Sequence, residues 1–335
     1  MRRTRAGRGP SAWGTAVVMA ALLAACGGSS TALPSHPGAD VAYAGSLQLL
    51  NEKTIGPAFS KRTGFPYQGR GGGSIGLSKE IAAKELTPNV FESIGAAPIK
   101  SLEPRFTTWY IQLASSPVVV AYNPHSKFAP VLQRVARGQA PLSELFSTMA
   151  APGFRLGRTN PATDPQGQAF AEMVSLATSQ LHLPKDTPSK ILGGVANSPQ
   201  IFSETALDAR LQAGQLDAAS AFASQAIQLG LPYVPLPGGM NFGNPSLKAL
   251  YAHASLALPG AKTVHGVPLV VDVTILGHKP TGAASAFVSY LLSPTARHAM
   301  QNAGYELLKP AAFGNTASIP KEIRSALARA DSQRP

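Results

Sequence analysis

The sequence predicts an α/β chain folded into two lobes, and three observations carry that expectation. Short apolar runs suited to strands alternate with helix-like runs along most of the chain, the pattern of α/β folds with mostly parallel sheets. The 335 residues exceed the roughly 100–200 usual for one domain. Hydrophobic residues make up 44% and charged residues 14%, with 32 Gly and 29 Pro, which favours many turns between short elements over long charged helices or disorder.

The chain opens with an export signal. Arg2, Arg3, Arg5 and Arg8 form a positive start, and residues 12–25 are almost wholly apolar yet short of the roughly 20 residues that span a bilayer. The Arg2-Arg3 pair is a weak twin-arginine signal, so a plain positive n-region is the simpler reading. Cys26 is the only cysteine, which excludes an intramolecular disulfide. Leu23-Ala24-Ala25-Cys26 resembles a bacterial lipobox. That resemblance implies cleavage of residues 1–25, a lipid on the Cys26 sulfur, and a mature chain held at the outer face of the cell membrane. Residues 26–39, rich in Gly, Ser, Pro and Ala, read as a tether spanning about 20 Å. Losing the four arginines of the signal lowers the net charge from +12 to about +8, which attracts anions and anionic lipid. The basic residues are dispersed and aromatics are 7%, so nucleic acid is not an expected partner.

Along the body, residues 41–44 form the first strand, followed by Gly45, Ser46 as a candidate N-cap and a helix over 47–62 that Gly64 stops. A strand over 65–68 leads to Gly71-Gly72-Gly73-Ser74 and a helix to about 84, then a strand at 90–94. Strands follow at 118–122, 218–222, 234–236 and 268–276. Helices follow at 141–149, from Asp164-Pro165 to about 181, and at 206–213, 281–292 and 295–303. No internal repeat is present.

Two helix starts share one design: a strand or glycine loop, then serine, then helix. A helix N-terminus leaves N–H groups unpaired and carries about half a positive charge, so it holds an anion without a charged side chain. Ser46 and Ser74 would each add a hydroxyl donor, and two such ends facing one point would hold a tetrahedral oxyanion. Simple N-capping is the ordinary role for either serine alone.

Ala44-Gly45-Ser46-Leu47 resembles the opening of the molybdate/tungstate-binding proteins of ABC importers, the tungstate-type branch in particular. The segments 109–111 and 116–123, the run Asn160-Pro161-Ala162-Thr163-Asp164-Pro165-Gln166-Gly167, the stretch from Leu236-Pro237 to Asn241-Phe242-Gly243-Asn244-Pro245, and 266–276 with 287–293 and Gly304-Tyr305 resemble successive motifs of that branch. The likeness covers most of residues 40–310. It implies a two-lobed, periplasmic-binding-protein-like (type II) fold with the ligand cleft between the lobes, lobe I over 40–116 plus 273–325 and lobe II over 117–272, with crossings at Ser116 and Asp272 and a frayed tail at 326–335. It implies an oxyanion bound at Gly45, Ser46, Leu47, Ser74, Ile75, Asp164 and Gln166, with Asp164 approaching the metal centre of the oxyanion. A monomer, an ABC permease as partner, no cofactor and no resident metal follow from it. Asp164 is equally suited to cap a helix that has Pro165 at its first position. The branch's second carboxylate is missing, because Gly238-Gly239-Met240 stands there, and Val271-Asp272 replaces a Tyr-Gly pair.

Two other readings compete. Gly72-Gly73-Ser74-Ile75-Gly76 fits the Gly-x-Ser-x-Gly elbow of a serine esterase, although no oxyanion-hole loop precedes it. A binding-protein scaffold for another anion, or without a ligand, is compatible with the missing acid. The seven histidines are scattered with no zinc-site spacing. Arg70 and Arg158 sit near the anion motifs, as steering charges or as solvated loop residues.

Overall fold

The computed structural model describes residues 38–332 apart from Ala261. The export signal, Cys26 and residues 26–37 of the tether lie outside the described residues. Ala39, expected at the end of the tether, is already the first residue of a strand.

Six strands form the large sheet of lobe I: β1 (Ala39–Ala44), β2 (Tyr67–Gly72), β3 (Val90–Ile94), β4 (Trp109–Ser115), and later β11 (Val270–Ile275) and β12 (Glu306–Gly314). Their order is β12-β4-β11-β3-β1-β2. Lobe II is built on β5 (Val118–Tyr122), β6 (Leu156–Gly157), β7 (Ala218–Phe222) and β8 (Tyr233–Val234), in the order β6-β7-β5-β8. A separate hairpin joins β9 (Ser255–Leu258) to β10 (Lys262–His265).

The sheets are mixed, not mostly parallel. β1 is parallel to β2 and β3, but β11 is antiparallel to β3 and β4, and β12 to β4. The reason is the route of the chain. It leaves lobe I along β4 and returns beside it, with Val270 in register with Ser115, so the returning strand must run the opposite way. The outward crossing falls at Ser116 and Pro117, between β4 and β5. The return ends at Leu269, whose N–H donates to the Phe242 carbonyl, before β11 begins. Asp272 is therefore no crossing residue: it lies inside β11, paired in register with Ser93 and Gln112 and fully buried.

Strands with both faces covered read as continuous apolar runs, and β3, β5, β7 and β11 are buried at every residue. β2 is different. Its sequence, Tyr-Gln-Gly-Arg-Gly-Gly, looks like a loop, yet it pairs along its whole length with β1. The Glu52 carboxylate accepts the Tyr43 hydroxyl at 2.7 Å and the Tyr67 hydroxyl at 3.2 Å, and a Cβ on Gly69 would collide with this cluster. The glycines are what lets two tyrosines and a carboxylate lie over the strand.

Residues 45–63 are helical without a break, but in four segments: 3₁₀ over Gly45–Leu47, α over Gln48–Leu50, π over Asn51–Ile55 and α over Gly56–Thr63. Pro57 follows the π segment, and a proline lacks an N–H and crowds the carbonyl four residues back, which a widened turn relieves. Gly64 ends the run at φ +77°. At the other end, residues 326–332, expected to fray, continue the helix Lys321–Ser332, which buries Ala326 and Ala330.

The helix Pro165–Gln180 crosses the core of lobe II and buries one acid, Glu172, whose Oε1 has no hydrogen-bond partner. Burial pushes its carboxyl up to about 8. In the unfolded chain it ionises near the ordinary value, so the native state is fully favoured below about pH 4 and loses stability as pH rises towards 8. Glu172→Gln should raise stability by roughly 3 kcal/mol at pH 8 and leave it nearly unchanged at pH 4. Urea titrations at both pH values check this, and equal shifts would contradict it.

Candidate functional site

Between the lobes lies a cleft of about 340 Å³. Lobe I supplies Gly45, Gln48 and the glycines 71–73; lobe II supplies Thr159, Asn160, Thr163, Asp164 and residues 201–205. These residues mark four helix starts. Gly45 opens the first helical run, and Gly73 is the N-cap of the helix Ser74–Ala82. Asp164 caps Pro165–Gln180, and Ser203 caps Glu204–Gln212. Two starts from each lobe thus border one space, and helix starts carry partial positive charge.

The two serines are not caps. Ser46 lies within the first 3₁₀ turn, and its buried Oγ has no hydrogen-bond partner. Its carbonyl accepts the Tyr305 hydroxyl at 2.9 Å, which pins the turn from behind. Extended Gly73 takes the cap position ahead of Ser74. The buried Ser74 Oγ accepts the Ile94 N–H at 3.1 Å, which leaves its own proton to donate. Neither serine lines the cleft itself: each sits one residue behind a lining glycine, Gly45 or Gly73, with its hydroxyl proton uncommitted.

The lobes touch beside these residues. The Gly76 N–H donates to the Thr163 carbonyl at 2.9 Å, and Lys79 Nζ to the Ala162 carbonyl at 3.3 Å. A Cβ on Gly73 would stand 2.5 Å from the Thr163 oxygen and 3.1 Å from Asp164 Oδ2. A Cβ on Gly45 would stand 3.1 Å from the Glu204 carboxyl carbon. Glycine is needed here for close approach of the lobes, since neither residue has a positive φ.

Asp164 does what a cap does, accepting the Gln166 N–H at 2.8 Å, and it also lines the cleft. It is hydrogen-bonded to Glu204, a second carboxyl that the sequence reading passed over. Burial raises both acids above the usual carboxylate range, and for Glu204 the neighbouring Asp164 charge adds to it. Gln166 does not line the cleft. Its amide donates to Gln225 Oε1 at 2.8 Å and accepts the Ser220 hydroxyl at 2.9 Å, within lobe II. Leu47 packs in the core and Ile75 is half-buried, and the side chains of both lie off the cleft lining.

The arginines have other work. Arg70 pairs with Glu80 at 2.8 Å on the surface. Arg158 is neither a steering charge nor solvated: it is fully buried and donates to Gln200 Oε1 and to the carbonyls of Leu192, Gly194 and Val195. It thereby shapes the loop that leads to Ser203 and Glu204. The signal for Glu204 was present, as an acid in the first turn after a capping serine, but the expected helix start at 206 fell two residues late. Among the described residues, no group of three or more His, Cys, Asp or Glu side chains is placed to hold a metal ion.

Ser74 is also unlike an esterase nucleophile. Such a serine sits exposed on a strained strand-to-helix turn, whereas Ser74 is buried, has ordinary backbone geometry and accepts a main-chain N–H. Two lobes joined by crossing strands, with helix starts of both meeting in a cleft, define a protein that captures a solute. The chain belongs to the bacterial extracellular solute-binding protein family, whose model matches residues 39–306. It is 28% identical over 270 residues to a Haloferax volcanii protein named as an ABC-transporter molybdenum-binding protein, covering 80% of this chain and 81% of that one. It is 25% identical over 242 residues to the molybdate/tungstate-binding protein WtpA of Pyrococcus abyssi, covering 66% and 68%. The fold matches the Azotobacter vinelandii periplasmic molybdate-binding protein with a TM-score of 0.54 at 17% identity, over 80% of this chain and 99% of that chain. The chain is a solute-binding protein and not an enzyme.

Proposed function

We propose that this protein captures a tetrahedral oxyanion, molybdate or tungstate, outside the cell and delivers it to the permease of an ABC importer. The observation that carries the reading is the meeting of four helix starts, two from each lobe, in one cleft. Main-chain N–H groups at Gly45, Ser46 and Leu47 and at Ser74 and Ile75 would receive the anion, with the Ser46 and Ser74 hydroxyls as further donors. Asp164 would face it from lobe II. A bound anion would join lobe I to lobe II, and exclusion of water on closure strengthens each charge-assisted hydrogen bond. The names of the two sequence relatives support the choice of anion. In this reading the mature chain is a monomer held to the outer face of the membrane by a lipid on Cys26.

Calorimetry on the mature protein with molybdate, tungstate, sulfate and phosphate tests the proposal. Ser46→Ala and Ser74→Ala should each weaken binding of the preferred anion by about 1–3 kcal/mol, from loss of a buried donor. Unchanged affinity in both variants would reject the site, and no binding of any oxyanion by the wild type would reject the function.

A further inference from the structure

Behind the cleft, lobe II reaches a lobe I helix start through one tyrosine. Tyr305 follows Gly304 at the corner between the helix Pro294–Asn302 and β12, is 3% exposed and does not line the cleft. Its hydroxyl donates to the Ser46 carbonyl at 2.9 Å, the bond that pins the first helix start. A phenol has one proton to donate and lone pairs left to accept. From lobe II, Ser224 and Gln228 of the helix Ala223–Leu229 stand beside that same hydroxyl. The Ser224 Oγ is buried and completes no hydrogen bond in this arrangement, so a small shift of lobe II would seat it on the tyrosine. The helix is in turn fixed to the outward crossing: the Ser224 N–H donates to Ser116 Oγ at 3.1 Å and the Ala223 N–H to the Pro117 carbonyl at 2.9 Å. Gly304, at φ +86°, lies against the same helix, and a Cβ there would stand 2.6 Å from Ile227 Cδ1 and 3.3 Å from Ser224 Cα.

From this geometry we infer that Tyr305 is a positioning residue that couples the seating of lobe II to the main-chain donors of the Ser46 turn. The inference rests on the oxyanion reading above. The Ser46 carbonyl shares its peptide group with the Leu47 N–H, one of the groups proposed to receive the anion. A donor on that carbonyl polarises the peptide and strengthens its N–H. A lobe II donor on the tyrosine oxygen strengthens the tyrosine in turn, because hydrogen bonds in a chain reinforce one another at low dielectric. Coupling of this kind needs a contact whose strength differs between seated and unseated lobes. The unfinished bond of Ser224 to the tyrosine supplies that difference. The lobes thus meet an anion in front, across the cleft, and are tied behind it beside the crossing.

The test titrates molybdate and tungstate by calorimetry into the mature wild type, Tyr305→Phe, Ser224→Ala and the double variant. Tyr305→Phe should weaken binding about tenfold, the loss of one buried hydrogen bond. Ser224→Ala should weaken it about threefold in the wild type and cause no further loss in Tyr305→Phe, because both act through one chain. A merely structural tyrosine would lower the urea midpoint but leave the two effects on affinity additive. If Tyr305→Phe does not fold, Ser224→Ala decides alone: it deletes a hydroxyl that completes no bond here, so only coupling predicts a loss of affinity. Unchanged affinity in either single variant, or additive losses in the double variant, overturns the role of Tyr305 and leaves the anion site standing. A wild type that binds neither anion overturns the oxyanion reading as well.

Discussion

Replacing Gly73 by alanine should weaken anion capture about 30-fold or more, roughly 2 kcal/mol, while the protein stays folded. The added methyl would stand 2.5 Å from the Thr163 carbonyl oxygen and 3.1 Å from both Cβ and Oδ2 of Asp164. The closest of these atoms is backbone, and the same carbonyl accepts the Gly76 N–H that ties the lobes. The clash is best relieved by parting the lobes, which costs closure but not the core of either lobe. Gly76→Ala is the matching control. Its Cβ meets nothing nearer than the Thr163 Cβ at 3.6 Å, an ordinary contact, and should be tolerated. Calorimetry gives the affinity, and small-angle scattering with saturating anion gives the degree of closure. Full closure and full affinity in Gly73→Ala would show that the lobes do not close as the structure has them.

Arg158→Ala should destabilise the protein by about 3–5 kcal/mol, the range for stripping a buried charged donor from its partners. The guanidinium fills the hollow of the 192–200 loop and satisfies three carbonyls and one side-chain amide. Its removal leaves these acceptors buried and unpaired and opens a cavity beside them. Arg158→Lys should recover little, because one ammonium cannot reproduce a planar fork of donors. The main chain on either side of this loop is also tied to Arg158, through Arg158 N–H to the Gln200 carbonyl and Phe202 N–H to the Arg158 carbonyl. The loss should therefore reach Ser203 and Glu204 and weaken the anion site as well. Urea unfolding measures the stability, and a midpoint within experimental error of the wild type would refute the assignment.

The cleft was partly legible beforehand. Ala44-Gly45-Ser46 and Gly73-Ser74 carry their chemistry in consecutive residues, because a strand end, a glycine and a helix start are local events. The same holds for Asp164-Pro165, whose cap and first-position proline are both present in the structure. Glu204 was not legible as a partner of Asp164. The two are forty positions apart, and the fold of lobe II alone makes them neighbours. Arg158 misled for the same reason, since an arginine in a loop reads as solvated until the 192–200 segment is seen to wrap it.

Alone, the amino-acid order determined the βα alternation, about half of the helix and strand positions, the glycines at the lobe I helix starts and the family likeness, all encoded over a few adjacent residues; β4 and β12 of the large sheet were not among them. Tertiary structure decided the rest. The direction of β11 follows from how the chain returns beside β4, and the glycine-rich β2 is a strand because Tyr43, Tyr67 and Glu52 cover it. The raised carboxyls of Asp164 and Glu204 depend on burial, which raises the cost of charge only once the fold has formed around them.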